Sequence, residues 1–335
     1  MTAKVKPVDV AVVGATGLVG RTMIRVLEER SFPVRRLHAF ASSRSQGSEV
    51  TFRGEPVAVE TLTQESLKAS GASIALFSAG GNTSREFAPG AASNGIVVID
   101  NSSAFRMDPE VPLVVPEVNP DAIASHHGTI ANPNCSTIQL VVPLKPLHDR
   151  YRVRRIVVAT YQSVTGAGLR AYNQLMDEVR GAEVRERKFK HPIAFNCIPQ
   201  IDEFEEDGYT REEHKMVNET KKILADASIK VNATCVRVPV VGGHSEAATV
   251  EFAQSITPDE ARTVLSDAPG VVLMDDPAAG IYPMPIFSQD RDEVFVGRLR
   301  EDTTAPNSIT MWIVADNIRK GAATNAVQIA ERLVS

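Results

Sequence analysis

Cysteine is scarce in this chain. There are three, Cys135, Cys197 and Cys235, an odd and sparse set that argues against a disulfide framework and points to a reducing cytoplasm. A basic surplus is missing too. The formal net charge is −5, which gives no footing for nucleic acid or an anionic membrane. No apolar run approaches the length of a membrane span. One stretch imitates a leader, with Lys4 and Lys6 ahead of the apolar Val8–Val13. Asp9 interrupts it, and the glycines that follow have a better explanation, so no signal peptide is expected. Neither an internal repeat nor a low-complexity tract is present. Apolar content of 43% and charged content of 23% are those of a globular protein. At 335 residues the chain exceeds the usual ceiling for one core, so two domains are expected.

Val8–Val13 is a short β-branched run, the pattern of a buried parallel strand. It enters Gly14-Ala15-Thr16-Gly17-Leu18-Val19-Gly20, after which Val19, Met23, Val26 and Leu27 recur at helical spacing. Strand, glycine turn and helix suit a dinucleotide pyrophosphate, because the glycines permit close backbone approach and the helix start offers N–H groups. The spacing is GxxGxxG and not GxGxxG, and such turns also occur without a ligand. A second strand near Val34–Phe40 ends in Ala41-Ser42-Ser43-Arg44-Ser45. An NAD site would want an acid here for the ribose 2′-hydroxyl. Arg44 beside Ser45 suits a 2′-phosphate instead, which favours NADP; the alternative is a solvated loop arginine. Strand-like runs recur at Ile74–Ser78 and Ile96–Asp100 around a helical Ser84–Ala92. This is βαβ alternation and implies a doubly wound parallel sheet.

The chemistry centres on Asn132-Pro133-Asn134-Cys135-Ser136-Thr137-Ile138-Gln139-Leu140. An apolar, helix-like run begins right after the thiol. Cys135 therefore stands at or near a helix N-terminus, where unpaired N–H groups favour a thiolate and can hold an oxyanion. A small core residue is the competing reading. Beyond Cys135 the texture changes to alternating strands at Arg154–Ser163, Asn232–Val241 and Glu246–Ala253, with helical patterns at Arg170–Arg180 and Glu212–Ala227. That predicts an α+β second domain with a largely antiparallel sheet. Residues 185–200 read as an irregular excursion, a lid or dimer element. The last stretch, from Asn317, reads as a helix packing back on the first domain.

The boundaries are thus 1–132 plus 317–335 for a Rossmann-like domain and 133–316 for the second. Arg237, in an otherwise apolar strand, needs an anionic partner. His244, after two glycines, sits at a turn and is the natural acid/base partner of a thiolate. Arg106, among small hydroxyl residues, suits an anion or an ordinary salt bridge. Glu213 and Lys215 read as a solvated face. Cys197 and Cys235 read as packing residues.

Gly14–Gly20, Asn132–Gln139, Thr160–Gly168, Glu212–Lys222 and Arg237–Glu246 together resemble the bacterial type of aspartate-semialdehyde dehydrogenase, essentially from end to end. The resemblance implies Cys135 as acyl-thioester nucleophile and His244 as general acid/base. It implies Gln162 orienting the substrate, Arg237 gripping its α-carboxylate and Glu213 its amino group. Arg106, Lys215 and Asn134 would hold the phosphoryl group or free phosphate. Contacts to NADP would come from Thr16, Gly17, Leu18, Val19, Arg44, Ser45, Thr165, Gly166 and Asn317. It further implies a cytoplasmic homodimer acting on aspartyl phosphate, aspartate semialdehyde and phosphate in lysine, threonine and methionine synthesis. His214 stands where some relatives have Trp, and Asn317 where some have Gln. N-acetyl-γ-glutamyl-phosphate reductase shares this chemistry but has no use for a free carboxylate such as Glu213. Glyceraldehyde-phosphate dehydrogenase resembles a different pattern around its thiol. A non-catalytic NADP-binding regulator would keep Gly14–Gly20 and need neither Cys135 nor His244.

Overall fold

The computed structural model describes residues 6 to 334; Lys4, weighed above as part of a leader-like stretch, lies outside them. By its internal contacts the chain divides into two compact units. The first runs up to Asn134 and resumes at Ala322, and the second is Cys135–Gly321.

The first unit is built on the strands β1 (Val8–Val13), β2 (Val34–Ala41), β3 (Glu49–Phe52), β4 (Glu55–Thr61), β5 (Ile74–Phe77), β6 (Val97–Asp100) and β7 (Thr129–Ala131). They form one sheet in the order β3-β4-β2-β1-β5-β6-β7, parallel throughout except for the β3–β4 hairpin at one edge. The unbroken apolar run of β1 follows from burial on both faces. Val10 and Val12 enter one core with α1 (Leu18–Glu29), and Ala11 and Val13 enter a second. A further short helix, α2 (Gln64–Ala69), and α3 (Gly81–Ser93) contribute Leu67, Ala88 and Ala91 to that second core. A doubly wound, Rossmann-like sheet results. The chain's last helix shares the α1 core through Ala326, Val327 and Ile329, and Glu331 on it pairs with Arg30 at 2.8 Å.

The second unit starts with α4 (Cys135–Tyr151) and a six-stranded sheet of β8 (Val153–Gln162), β9 (Lys230–Arg237), β10 (His244–Phe252), β11 (Val271–Leu273), β12 (Val294–Glu301) and β13 (Ser308–Ala315). The order is β11-β12-β13-β10-β8-β9. The three central pairings are antiparallel and the two outer ones parallel. The remaining helices are α5 (Leu169–Val179), α6 (Arg211–Ile223), α7 (Pro258–Ser266) and the short α8 (Pro285–Ser288), and α9 (Thr324–Val334) is the last helix of the first unit. Helix α4 is buried almost all round and packs on β8 and β10 and on α6 and α7. That enclosure explains why its apolar residues Ile138, Leu140, Val141, Val142 and Leu144 point to several sides and not along one stripe. Period-2 alternation along β8, β9 and β10 sends Thr160, Gln162, Cys235, Arg237, His244 and Glu246 inward, a polar layer under α4. The 185–200 segment has no regular structure, yet it is anchored. Gln174 Oε1 accepts from the Lys188 and Phe189 N–H groups, and Glu178 Oε2 from those of Ile193 and Ala194. The sequence reading did not extend to β11, β12 and β13. Among the described residues no helix is long and apolar enough to cross a membrane, and the three cysteines form no disulfide.

Candidate active site

Cys135 is the first residue of α4 and is half-buried. Pro133 holds Asn132 out of the helical region, so the helix can begin only close to the thiol, and its first-turn N–H groups surround it. A Cβ on Gly321 would stand 2.8 Å from the Cβ of Cys135, so glycine is required where the chain passes the thiol. The neighbouring Ser136 hydroxyl accepts from Gln162 Nε2 at 2.8 Å, which ties the start of α4 to the end of β8.

His244 opens β10 as a strand residue, fully buried, where the sequence reading had placed it at a turn. The Ser163 N–H donates to its Nδ1 at 3.1 Å, and the Ser163 hydroxyl lies 3.2 Å from the same atom. Its Nε2 is buried without a hydrogen-bond partner; with Nδ1 accepting, the neutral ring carries its proton on Nε2. Burial, and then the charge of Arg237, push the imidazole well below its ordinary range, so at neutral pH it is an uncharged base.

Arg237 closes β9 at 4% exposure. Nη1 donates to the Ser163 carbonyl at 2.6 Å, while Nε has no partner. The Phe189 ring covers the guanidinium at 5.9 Å. Burial opposes its charge, and Glu212, Cys135 and Cys235 favour it; thiol and guanidinium are therefore within electrostatic reach. Gly166 walls this pocket, since a Cβ there would lie 3.0 Å from Arg237 Nη1 and 3.1 Å from His244 Nε2.

Two expectations change with the structure. Glu213 does not face this cluster. Its Oε2 accepts from the Thr210 N–H and hydroxyl in a capping box that starts α6, and its Oε1 accepts from the Cys235 N–H. Both oxygens are committed to the fold. The carboxylate that faces the cluster is Glu212, bonded to Gln162 Nε2 at 3.2 Å and to Lys215 Nζ at 3.3 Å. Lys215, only partly exposed, also pairs with Asp202 at 2.7 Å. Asn317 is likewise bonded within the fold. Its Oδ1 accepts from the Ser163 hydroxyl at 2.9 Å and the Gly243 N–H at 3.0 Å, and its Nδ2 donates to Thr165 at 3.2 Å. The amide braces the loops that carry Ser163 and His244.

In the first unit, Gly14 has φ +86 and a Cβ on it would stand 2.5 Å from the Ser78 carbonyl oxygen, so glycine is imposed by the fold. Gly17 is the N-cap of α1. No side chain caps that helix and its first turn holds no acid, so the N–H groups at Leu18 and Val19 remain open to an anion. The Thr16 hydroxyl meets that of Ser45 at 3.3 Å, which draws the exposed turn of Ser43, Arg44 and Ser45 to the glycine turn. Arg106 is buried, with Nε on the Asn132 carbonyl at 2.9 Å and Nη2 on that of Asn101 at 3.0 Å; Asn134 is buried in the same unit.

A parallel dinucleotide-type sheet and a buried cluster of thiol, imidazole and guanidinium correspond to the two halves of a semialdehyde dehydrogenase. The family descriptions "Semialdehyde dehydrogenase, NAD binding domain" and "Semialdehyde dehydrogenase, dimerisation domain" match residues 9–126 and 144–320. The aspartate-semialdehyde dehydrogenase of Aquifex aeolicus is 57% identical over 97% of both chains. A crystal structure of aspartate semialdehyde dehydrogenase II from Vibrio cholerae superposes with a TM-score of 0.94 at 49% identity, covering 98% of this chain and 99% of that one. The same enzyme complexed with ASA matches equally, at a TM-score of 0.94 and 49% identity over 98% of each chain. The chain belongs to the aspartate-semialdehyde dehydrogenase family.

Proposed function

We propose that the protein reduces L-4-aspartyl phosphate to L-aspartate 4-semialdehyde and phosphate with NADPH, through an acyl thioester on Cys135, in the synthesis of lysine, threonine and methionine. The observation that carries this reading is the Arg237 guanidinium, nine-tenths buried, charged, and with Nε unpartnered beside the thiol and the imidazole. An unpaired buried donor on a cation calls for an anion, and its planar fork suits a carboxylate. The V. cholerae structure complexed with ASA fits the same substrate.

With its ring proton shifted to Nδ1, where the Ser163 hydroxyl can accept it, the uncharged His244 takes the thiol proton at Nε2 as sulfur attacks the acyl carbon and the C–O bond to phosphate breaks. A substrate carboxylate on Arg237 offsets the positive charge that disfavours imidazolium, so binding itself eases this transfer. Glu212 holds the substrate ammonium; Lys215 in the second unit, and Arg106 and Asn134 in the first, are each candidates to bind the phosphoryl group. NADPH, when bound, supplies the hydride. Helix-start N–H groups at Cys135 steady the resulting oxyanion. Collapse releases the semialdehyde and the thiolate, which recovers its proton from His244. The uncapped first turn of α1 fits the pyrophosphate and Arg44 with Ser45 the 2′-phosphate. In the second unit, Tyr161, Ile281, Tyr282 and Phe287 are exposed around a groove lined by Pro283, Met284 and Trp312, an apolar face suited to homodimer formation.

The test is phosphate-dependent NADP reduction with aspartate semialdehyde, N-acetylglutamate semialdehyde and glyceraldehyde 3-phosphate offered separately. Turnover of the first alone is expected; preference for either other substrate overturns the reading.

A further inference from the structure

Behind His244 lies a second buried acid that this mechanism does not use. Glu246 stands two residues along β10, on the same inward face, and is fully buried. Both its oxygens lack partners, and so does Oε1 of Gln139, likewise fully buried. Gln139 lies one turn beyond Cys135 on α4, and its Nε2 donates to the His244 backbone carbonyl at 3.4 Å. Beside Glu246 stand His244 on its own strand, Thr160 across on β8 and the apolar Ile313 across on β13, with Cys235 of β9 within electrostatic reach. No Lys or Arg forms an ion pair with it among the described residues.

An isolated carboxylate in such a place is costly and neutralises by taking a proton. Burial drives the carboxyl well above its ordinary range, and among the described residues Gln139 is the one polar group close enough to oppose it. Protonation then resolves three orphaned atoms at once. The acid O–H donates to Gln139 Oε1, one amide N–H donates to the acid carbonyl, and the other keeps the His244 carbonyl.

We propose that Glu246 is held as a neutral acid in an acid–amide bridge with Gln139, and that this pair is the positioning element setting the thiol-bearing helix against the imidazole-bearing strand. The bridge reaches α4 one turn below Cys135 and β10 at His244, the two residues whose separation governs proton transfer.

The role rests on the thioester reading above, so the test has one arm that needs no turnover. Infrared difference spectra of the full-length protein at neutral pH, wild type minus Glu246→Gln, are expected to show the carbonyl stretch of a protonated carboxyl. Carboxylate bands in its place overturn the neutral acid. In kinetics, Glu246→Gln keeps an equivalent donor and acceptor and holds kcat within about threefold, whereas Glu246→Leu lowers kcat roughly ten- to hundredfold with little change in KM. A wild-type rate in Glu246→Leu, or a Glu246→Gln loss equal to it, overturns the bridge. Should Glu246→Leu not fold, the volume-conserving Gln139→Met carries the same expectation, and a wild-type rate there overturns it. If the unaltered protein shows no phosphate-dependent turnover, the function fails while the infrared result still decides the state of Glu246.

Discussion

In the first unit the groups offered to a ligand are backbone N–H groups, set by one short stretch from Gly14 to Gly20 at the edge of β1 and α1. In the second unit the cluster is assembled from α4, β8, β9, β10 and α6, elements that start at residues as far apart as 135 and 244. The first arrangement tolerates varied side chains, because its donors belong to the main chain. The second depends on sheet register, since a slip of one residue would send Gln162, Arg237 and His244 to the other face. Substitutions should therefore act sharply in the second unit and mildly in the first.

Cys135→Ser should give the largest effect. It is expected to fold normally and to lose roughly three or more orders of magnitude in kcat, because a hydroxyl is a far weaker nucleophile at neutral pH; activity above a tenth of the unaltered protein's would remove the nucleophile. Arg237→Lys comes next. It keeps the charge and loses the fork, and saturation curves in semialdehyde should show kcat/KM lowered by about 2–4 kcal/mol. Adjacent carboxylates then separate catalysis from folding. Glu212→Gln should cost about 1–3 kcal/mol in kcat/KM with an unchanged melting temperature. Glu213→Gln should cost about 1 kcal/mol of stability through the weakened helix cap and leave kcat/KM nearly intact; the reverse pattern would restore Glu213 to the site. Arg44→Ala is the corresponding test in the first unit. It should raise KM for NADPH about ten- to hundredfold over NADH, the worth of one charge-assisted bond, and equal weakening of both cofactors would make Arg44 structural.

How far the sequence carried the reading follows the same division. The β1 strand, the glycine turn and the amphipathic face of α1 were legible because each is a local pattern. The first sheet followed from its alternation, apart from the β3–β4 hairpin. Cys135 was legible from Pro133 and the helix-like run behind it. Glu213 was misplaced although its signal was present: Thr210 followed three residues later by Glu213 is a capping box, which assigns that carboxylate to the helix start. The i, i+3 spacing of Glu212 and Lys215 was the better clue to a shared face. The hydrogen bonds of Asn317 could not be read, because its partners Ser163 and Gly243 are brought to it only by the tertiary fold. Glu246 was within reach, since period 2 along β10 puts it on the face of His244, but only burial reveals it as an acid without a counter-charge.

The central claim is that acyl transfer passes through sulfur at the start of α4. Mixing the protein with aspartyl phosphate without a reductant, quenching in acid and mapping the adduct by mass spectrometry measures it directly. A hydroxylamine-labile aspartyl adduct on Cys135, absent in Cys135→Ser, is the result this account predicts; phosphate release with no adduct on Cys135, or an adduct at another residue, would contradict it.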